Sequence, residues 1–194
     1  MTEQQPYHVV KSYDDFELRR YPAHLVAEVI IEGPFEDAGN RAFRYLFAYI
    51  TGANRSREKV AMTAPVVQTD AAEKIAMTAP VLQQGVEDGS GAAAGERFRV
   101  AFVLPEGLTA ETAPQPTDPT VHLRTVPASL AGVLRFSGRW SQTRYEQHLD
   151  QLRGALAAAG LSTLGSPRFA RFDPPIKPWF LRRNEVLFDL EEPG

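Results

Sequence analysis

Four histidines, His8, His24, His122 and His148, are the side chains best suited to proton transfer or metal ligation in a chain with no cysteine. The missing thiols remove disulfides, thiolate nucleophiles, Cys-ligated zinc, iron–sulfur clusters and covalent c-type haem attachment together. None of the histidines falls in an HExxH pattern, and there is no GxSxG. His122 alternates with Leu123 in a strand pattern and His148 borders a helical apolar stripe, so both read as structural. His24, at the strand break after Pro22, is the candidate metal or haem ligand. The glycines at 89, 91 and 95 lack the spacing and the following lysine of a phosphate loop.

A second chemistry is written on the segment Phe35 to Thr51, whose first turn carries Glu36 and Asp37 and which Gly52 stops, as expected of a helix. Ala38, Ala42, Tyr45, Leu46 and Tyr49 make a core stripe at helical spacing. Phe43, Phe47 and Ile50 make a second apolar ridge about a third of a turn away, which one sheet cannot cover as well. Three covers fit: a partner protein, the rest of a wide core, or a flat apolar ligand. Asn40 and Arg44 flank this ridge one turn apart, and a guanidinium beside an aromatic platform suits a hydrophobic plane edged with carboxylates. Lys177, on a proline-stiffened loop beside Trp179, is a further cation. Met62 and Met77 occupy matching places in two similar segments; core packing is their expected role, although thioethers also ligate haem iron.

The elements that must position these residues repeat. Shifting the chain by 105 residues aligns FELRRYPAHLVAEVIIEG from Phe16 with VHLRTVPASLAGVLRFSG from Val121, with six identities in 18 positions. Alternating apolar residues make each segment a pair of strands, broken at Pro22 and at Pro127 where a ladder donor is lost. Phe35 and Trp140 each follow the matched glycine by two residues and open a helical pattern. The second helix is expected from Ser141 or Thr143, with Thr143 and Glu146 at capping-box spacing, to Gly160, and its stripe is Tyr145, Leu149, Leu152, Leu156 and Ala159. KVAMTAPVVQ from Lys59 and KIAMTAPVLQ from Lys74 agree at eight of ten positions and read as a hairpin. Residues 85–96 read as a flexible loop and 105–120 as a Pro-rich connector.

Composition narrows the options further. At 194 residues, with 43% hydrophobic and 23% charged residues, the chain has material for a sizeable core and is expected to form one domain over 1–194, with half-repeats at about 7–104 and 119–190. A net charge of −3 argues against a nucleic-acid partner. No apolar stretch approaches 18 residues and the N-terminus lacks a signal pattern, so a soluble, cytoplasmic protein without a membrane span is expected.

Three motifs, FELRRYP from Phe16, the twin AMTAPV segments and FDPPIKPWFLRRNEV from Phe172, together resemble the SOUL family of haem-binding proteins over about Tyr7 to Leu190. The resemblance implies an α+β fold: a pseudo-two-fold symmetric, distorted antiparallel β-barrel of two strand-helix-strand halves with two flanking helices. It implies a haem or related porphyrin, held non-covalently against the first helix, with Phe43 and Phe47 under the ring, Asn40 and Ala48 at the polar positions and Lys177 as the loop lysine. Arg20 stands where some relatives carry a histidine, and Asn40 replaces a basic residue of some relatives, a role open to Arg44 or Arg41. Axial ligation therefore falls to His24 or to no protein residue. The expected function is a non-catalytic tetrapyrrole carrier, buffer or sensor. The alternatives are a haem-processing enzyme, releasing iron or modifying the ring, and an effector-binding or protein-interaction module for another hydrophobic ligand.

Overall fold

The computed structural model describes residues 3–56, 72–86, 97–173 and 176–192. In chain order its first half contains β1 (Glu3–Gln4), β2 (His8–Ser12), β3 (Glu17–Tyr21), β4 (His24–Glu32), α1 (Phe35–Thr51), β5 (Asn54–Arg55), β6 (Thr78–Ala79), β7 (Val81–Gly85) and β8 (Arg97–Val103). The second contains β9 (Gln115–Pro116), β10 (His122–Val126), β11 (Ser129–Ser137), α2 (Gln142–Ala158), β12 (Thr163–Arg171), a 3-10 turn (Trp179–Leu181) and β13 (Arg183–Leu190). Nine strands form one antiparallel sheet in the order β10-β4-β8-β7-β12-β13-β11-β3-β2, curled into a half-barrel with two helices. This is the α+β architecture that the sequence implies.

Proline sets the corners. Chain direction changes at Pro22 and Pro127, and the long strands that follow, β4 and β11, have the same sequence of buried and exposed positions. Each short strand then pairs with the long strand of the other half: Leu123 of β10 lies opposite Ala27 of β4, and Leu18 of β3 lies opposite Gly132 of β11. Leu18 and Leu123 are 105 residues apart, as are Ala27 and Gly132, so the two pairings are one pairing with the halves exchanged. Gly33 and Gly138, which end the long strands, both have positive φ, near 124° and 132°, a region that glycine enters at little cost.

Both helices pack on one face of the sheet. Ala38, Ala42, Leu46 and Tyr49 of α1 share a core with Leu149, Leu152 and Leu156 of α2 and with Ala27, Val29, Val100, Leu134 and Phe188 from the strands. The other face is filled by Tyr21, Val26, Val103, Val133 and Leu187, with a buried ion pair, Arg19 to Glu185, among them. α1 begins and ends where its sequence signals place it. Its stripe is narrower than expected, because Tyr45 is half-exposed while Leu46 is fully buried. Ile50 leaves the outer ridge and is buried, since the segment around Ile75 covers it and the Ile75 N–H donates to the Ile50 carbonyl at 2.8 Å.

The start of α2 is decided between its two expected positions. Ser141, in extended conformation, caps α2 by accepting from the Arg144 N–H, so Thr143 lies inside the helix and Glu146 instead accepts from the Gln142 side chain. Both edges of β7 are occupied, by β8 and β12. The other arm of the expected hairpin, the first twin segment with Met62, and the loop residues 87–96 lie outside the described residues. The connector is pinned: β9 pairs with β5, and the Tyr49 hydroxyl donates to the Pro114 carbonyl at 2.9 Å.

Candidate functional site

A cavity of about 370 Å³ opens beside α1, within the range of small-molecule sites. Gly39, Asn40 and Phe43 line it from the helix, Met77, Thr78, Ala79 and Val81 from the β6–β7 segment, and Trp140, Arg171 and Phe172 from the second half. Helical spacing puts Gly39, Asn40 and Phe43 on a common flank, adjacent to the core stripe that holds α1 in place. Phe43 is stacked on Phe47, with ring centroids 5.3 Å apart and 14° between planes, and meets Phe102 of the sheet edge-on. Both rings remain partly exposed, at 36% and 43%. The outer ridge that the sequence singles out is thus an open aromatic surface, reduced to two members.

Behind the cavity, five planar groups form a column. The Arg171 guanidinium carbon lies 3.0 Å from the Trp140 ring centroid. Trp140 stacks on Phe169 at 3.8 Å and 7°, Phe169 faces Phe136 at 5.8 Å and 9°, and Phe136 stacks on His148 at 3.8 Å and 12°. Gly39 makes room for the first of these groups, because a Cβ there would sit 2.4 Å from Arg171 Nη2. A glycine inside a helix costs roughly 1 kcal/mol relative to alanine, and here the cost admits a cation. Burial pulls the Arg171 pKa down to about 9, with the nearby Arg182 charge adding to the effect.

The other expected site residues scatter. Asn40 lines the cavity; Arg44 and Ala48 are exposed on α1 and do not line it. Lys177 is ion-paired with Asp173 at 2.7 Å, and Asp173 is itself a lining residue. Burial alone would raise the Asp173 carboxyl, but the Arg183 N–H and the Lys177 ammonium outweigh it and hold it below the usual range. Met77, expected in the core, is 37% exposed and borders the cavity. Gly39, Thr78, Trp140 and Arg171 were not expected at the site. The one local signal for them is the unexplained glycine inside α1.

His24 stands apart. Alternation along β4 puts it with Val26 on the sheet face opposite the helices, where Nδ1 lies 2.9 Å from the Pro22 carbonyl and Nε2 lies 3.1 Å from Gln5 Nε2. Burial lowers its pKa below the ordinary 6.5, the Pro22 carbonyl opposes this, and Arg168 and Arg124 lower it further. The unfolded chain therefore takes up this proton first as pH falls, and stability is lost as pH drops through about 6.5 toward the folded value. His24→Gln is expected to flatten that loss between about pH 7 and pH 5. Urea midpoints of both proteins at the two pH values check it, and parallel wild-type and variant slopes would sink it.

Fold and site together define an α+β module that carries, among the described residues, a sizeable and mostly apolar cavity. Among the described residues no cluster of three or more His, Asp or Glu side chains is placed to hold a metal ion, and no helix is long and apolar enough to cross a membrane. The chain belongs to the SOUL heme-binding protein family, whose model matches residues 2–72 and 68–189. It is 27% identical over 174 residues to Heme-binding protein 1 of Xenopus tropicalis, covering 89% of this chain and 82% of that protein. Solved structures share the fold. The EcmrR C-terminal domain superposes with a TM-score of 0.61 at 13% identity, over 96% of this chain and 98% of the other. A structure described as a hydrolase encoded by lin2189 from Listeria innocua gives 0.60 at 12% identity, over 94% of each chain.

Proposed function

We propose that this chain binds haem or a related porphyrin non-covalently, as a carrier, buffer or sensor, with no catalytic step. The observation that carries this reading is the half-exposed Phe43–Phe47 stack continuous with the cavity, since Phe43 belongs to both. A flat macrocycle laid on these rings enters the cavity by one edge and removes apolar area from water, at roughly 25 cal/mol per Å² before association costs. Family membership supplies the tetrapyrrole; the aromatic surface supplies its place. Arg44 is available to carboxylates at the open rim, and Lys177 becomes available by exchanging Asp173 for them. The position of His24 across the sheet favours a ring held without that ligand.

Phe47→Asp tests the site at little risk to the fold, because Phe47 is largely outside the core. Haemin titration followed at the Soret band is expected to give saturable one-to-one binding to the wild type and at least about tenfold weaker binding to the variant, a loss of about 1.4 kcal/mol. Equal affinity in the variant would remove the ring from α1. Turnover of bound haem by the purified chain with a reductant would replace the binding role with a catalytic one.

A further inference from the structure

We propose that the inner wall of the cavity is a carboxylate-binding subsite, in which the Arg171 guanidinium, aided by the Thr78 hydroxyl and the Trp140 indole N–H, receives one carboxylate of the ring ligand. The inference rests on the haem reading for the ring and moves one anchor from the exposed rim to the buried wall. Arg171 lines the cavity, yet no carboxylate pairs with it among the described residues. Its side-chain hydrogen bond there is a long one, 3.5 Å from Nη2 to Gln83 Oε1, for a group with five N–H donors. Asp173, the acid in the same wall, is committed to Lys177 and to the Arg183 N–H.

Two lining residues, Thr78 and Trp140, also carry buried polar atoms without a partner among the described residues. Thr78 is 3% exposed and its Oγ1 has no hydrogen-bond partner among the described residues, and the buried Trp140 Nε1 has none either. Leaving such groups buried and unpaired is unfavourable, so a wall with a cation and two unused polar groups calls for an acceptor. The guanidinium carbon lies over the Trp140 ring, and a guanidinium held in one place suits planar, bidentate recognition of a carboxylate. Gly39 lets the guanidinium pack directly against the α1 backbone, which holds it in the wall. An anion there also reverses the disfavoured state of the buried cation, because it restores a charge partner that the apo wall lacks.

The test titrates three probes, haemin, haemin dimethyl ester and naphthoate, into full-length wild type, Arg171→Gln and Thr78→Val, followed by tryptophan quenching and, for the haemins, the Soret band. Wild type is expected to prefer haemin over its diester by about ten- to a hundredfold, the size of lost charge-assisted hydrogen bonds. Arg171→Gln is expected to abolish the preference by weakening haemin alone, and Thr78→Val to reduce it several-fold. If wild type binds haemin without preferring it, or Arg171→Gln keeps the preference, the subsite is overturned while the haem reading stands. If wild type fails to bind haemin, the haem reading falls and naphthoate decides: Arg171-dependent binding keeps the carboxylate subsite, and its absence overturns it. Should Arg171→Gln lose its melting transition, Arg171→Lys takes its place, retaining charge without the fork; an undiminished preference in that variant overturns the bidentate subsite.

Discussion

Glu185→Ala is expected to destabilise the protein by about 3–5 kcal/mol, the cost of removing one partner from a buried ion pair. Arg19 and Glu185 are 2% and 1% exposed, and Arg19 donates twice to the carboxylate, at 2.9 and 3.2 Å. Burial works against the Arg19 charge, and Glu185 more than compensates, raising its pKa above the ordinary arginine value. Arg183 donates to the same carboxylate at 2.7 Å, so truncation takes the buried counter-ion from two guanidinium groups, leaving Arg19 only the more exposed Glu17. Thermal melting is expected to drop by on the order of 10 °C for a chain of this length. Replacing both members, Arg19→Met with Glu185→Leu, should recover much of the loss, because apolar side chains of similar volume carry no desolvation penalty. A Glu185→Ala melting curve within about 2 °C of wild type would show the pair to be energetically idle.

Trp140→Ala is the second large effect, about 3–5 kcal/mol, the range for removing a packed aromatic side chain. Its ring is stacked between Arg171 and Phe169 and also lies 5.4 Å from Phe35 at 10°. Removing it opens a void in the column and takes away the surface that orients the guanidinium. Trp140→Phe fills most of the void and should lose less than half as much. Guanidinium unfolding of the three proteins gives the comparison, and equal losses in the two variants would mean that something other than the stack sets the cost.

How far the sequence reads through to the structure depends on the distance over which each feature is encoded. The ends of α1 are local: acids in the first turn and a glycine at the stop, and the helix occupies Phe35–Thr51. The breaks at Pro22 and Pro127 are local as well, since a missing ladder donor acts where it stands. Tyr45 and Ile50 were misread because a helical wheel gives direction without saying what lies opposite; Leu46 meets the sheet and the segment around Ile75 arrives over Ile50. Phe43 and Phe47 were legible because two stacked rings one turn apart need nothing distant. Arg171, Trp140 and Thr78 were not, since they reach the cavity from three segments separated by dozens of residues. No periodicity records that meeting.

The exchange of short strands between halves has a consequence for how the chain assembles. β3 cannot be covered on its β11 side until residues 129–133 exist, and β4 waits for residues 122–126. Such distant pairings make loop closure precede reward, which slows folding relative to a fold of local hairpins. A ribosome releasing the first half exposes an unfinished sheet with two waiting edges, so the polypeptide matures only near the end of synthesis. By the same logic, a chain carrying one half alone closes this sheet only by borrowing the short strand of a second copy. Duplication in a single chain turns that bimolecular encounter into an intramolecular one, independent of protein concentration.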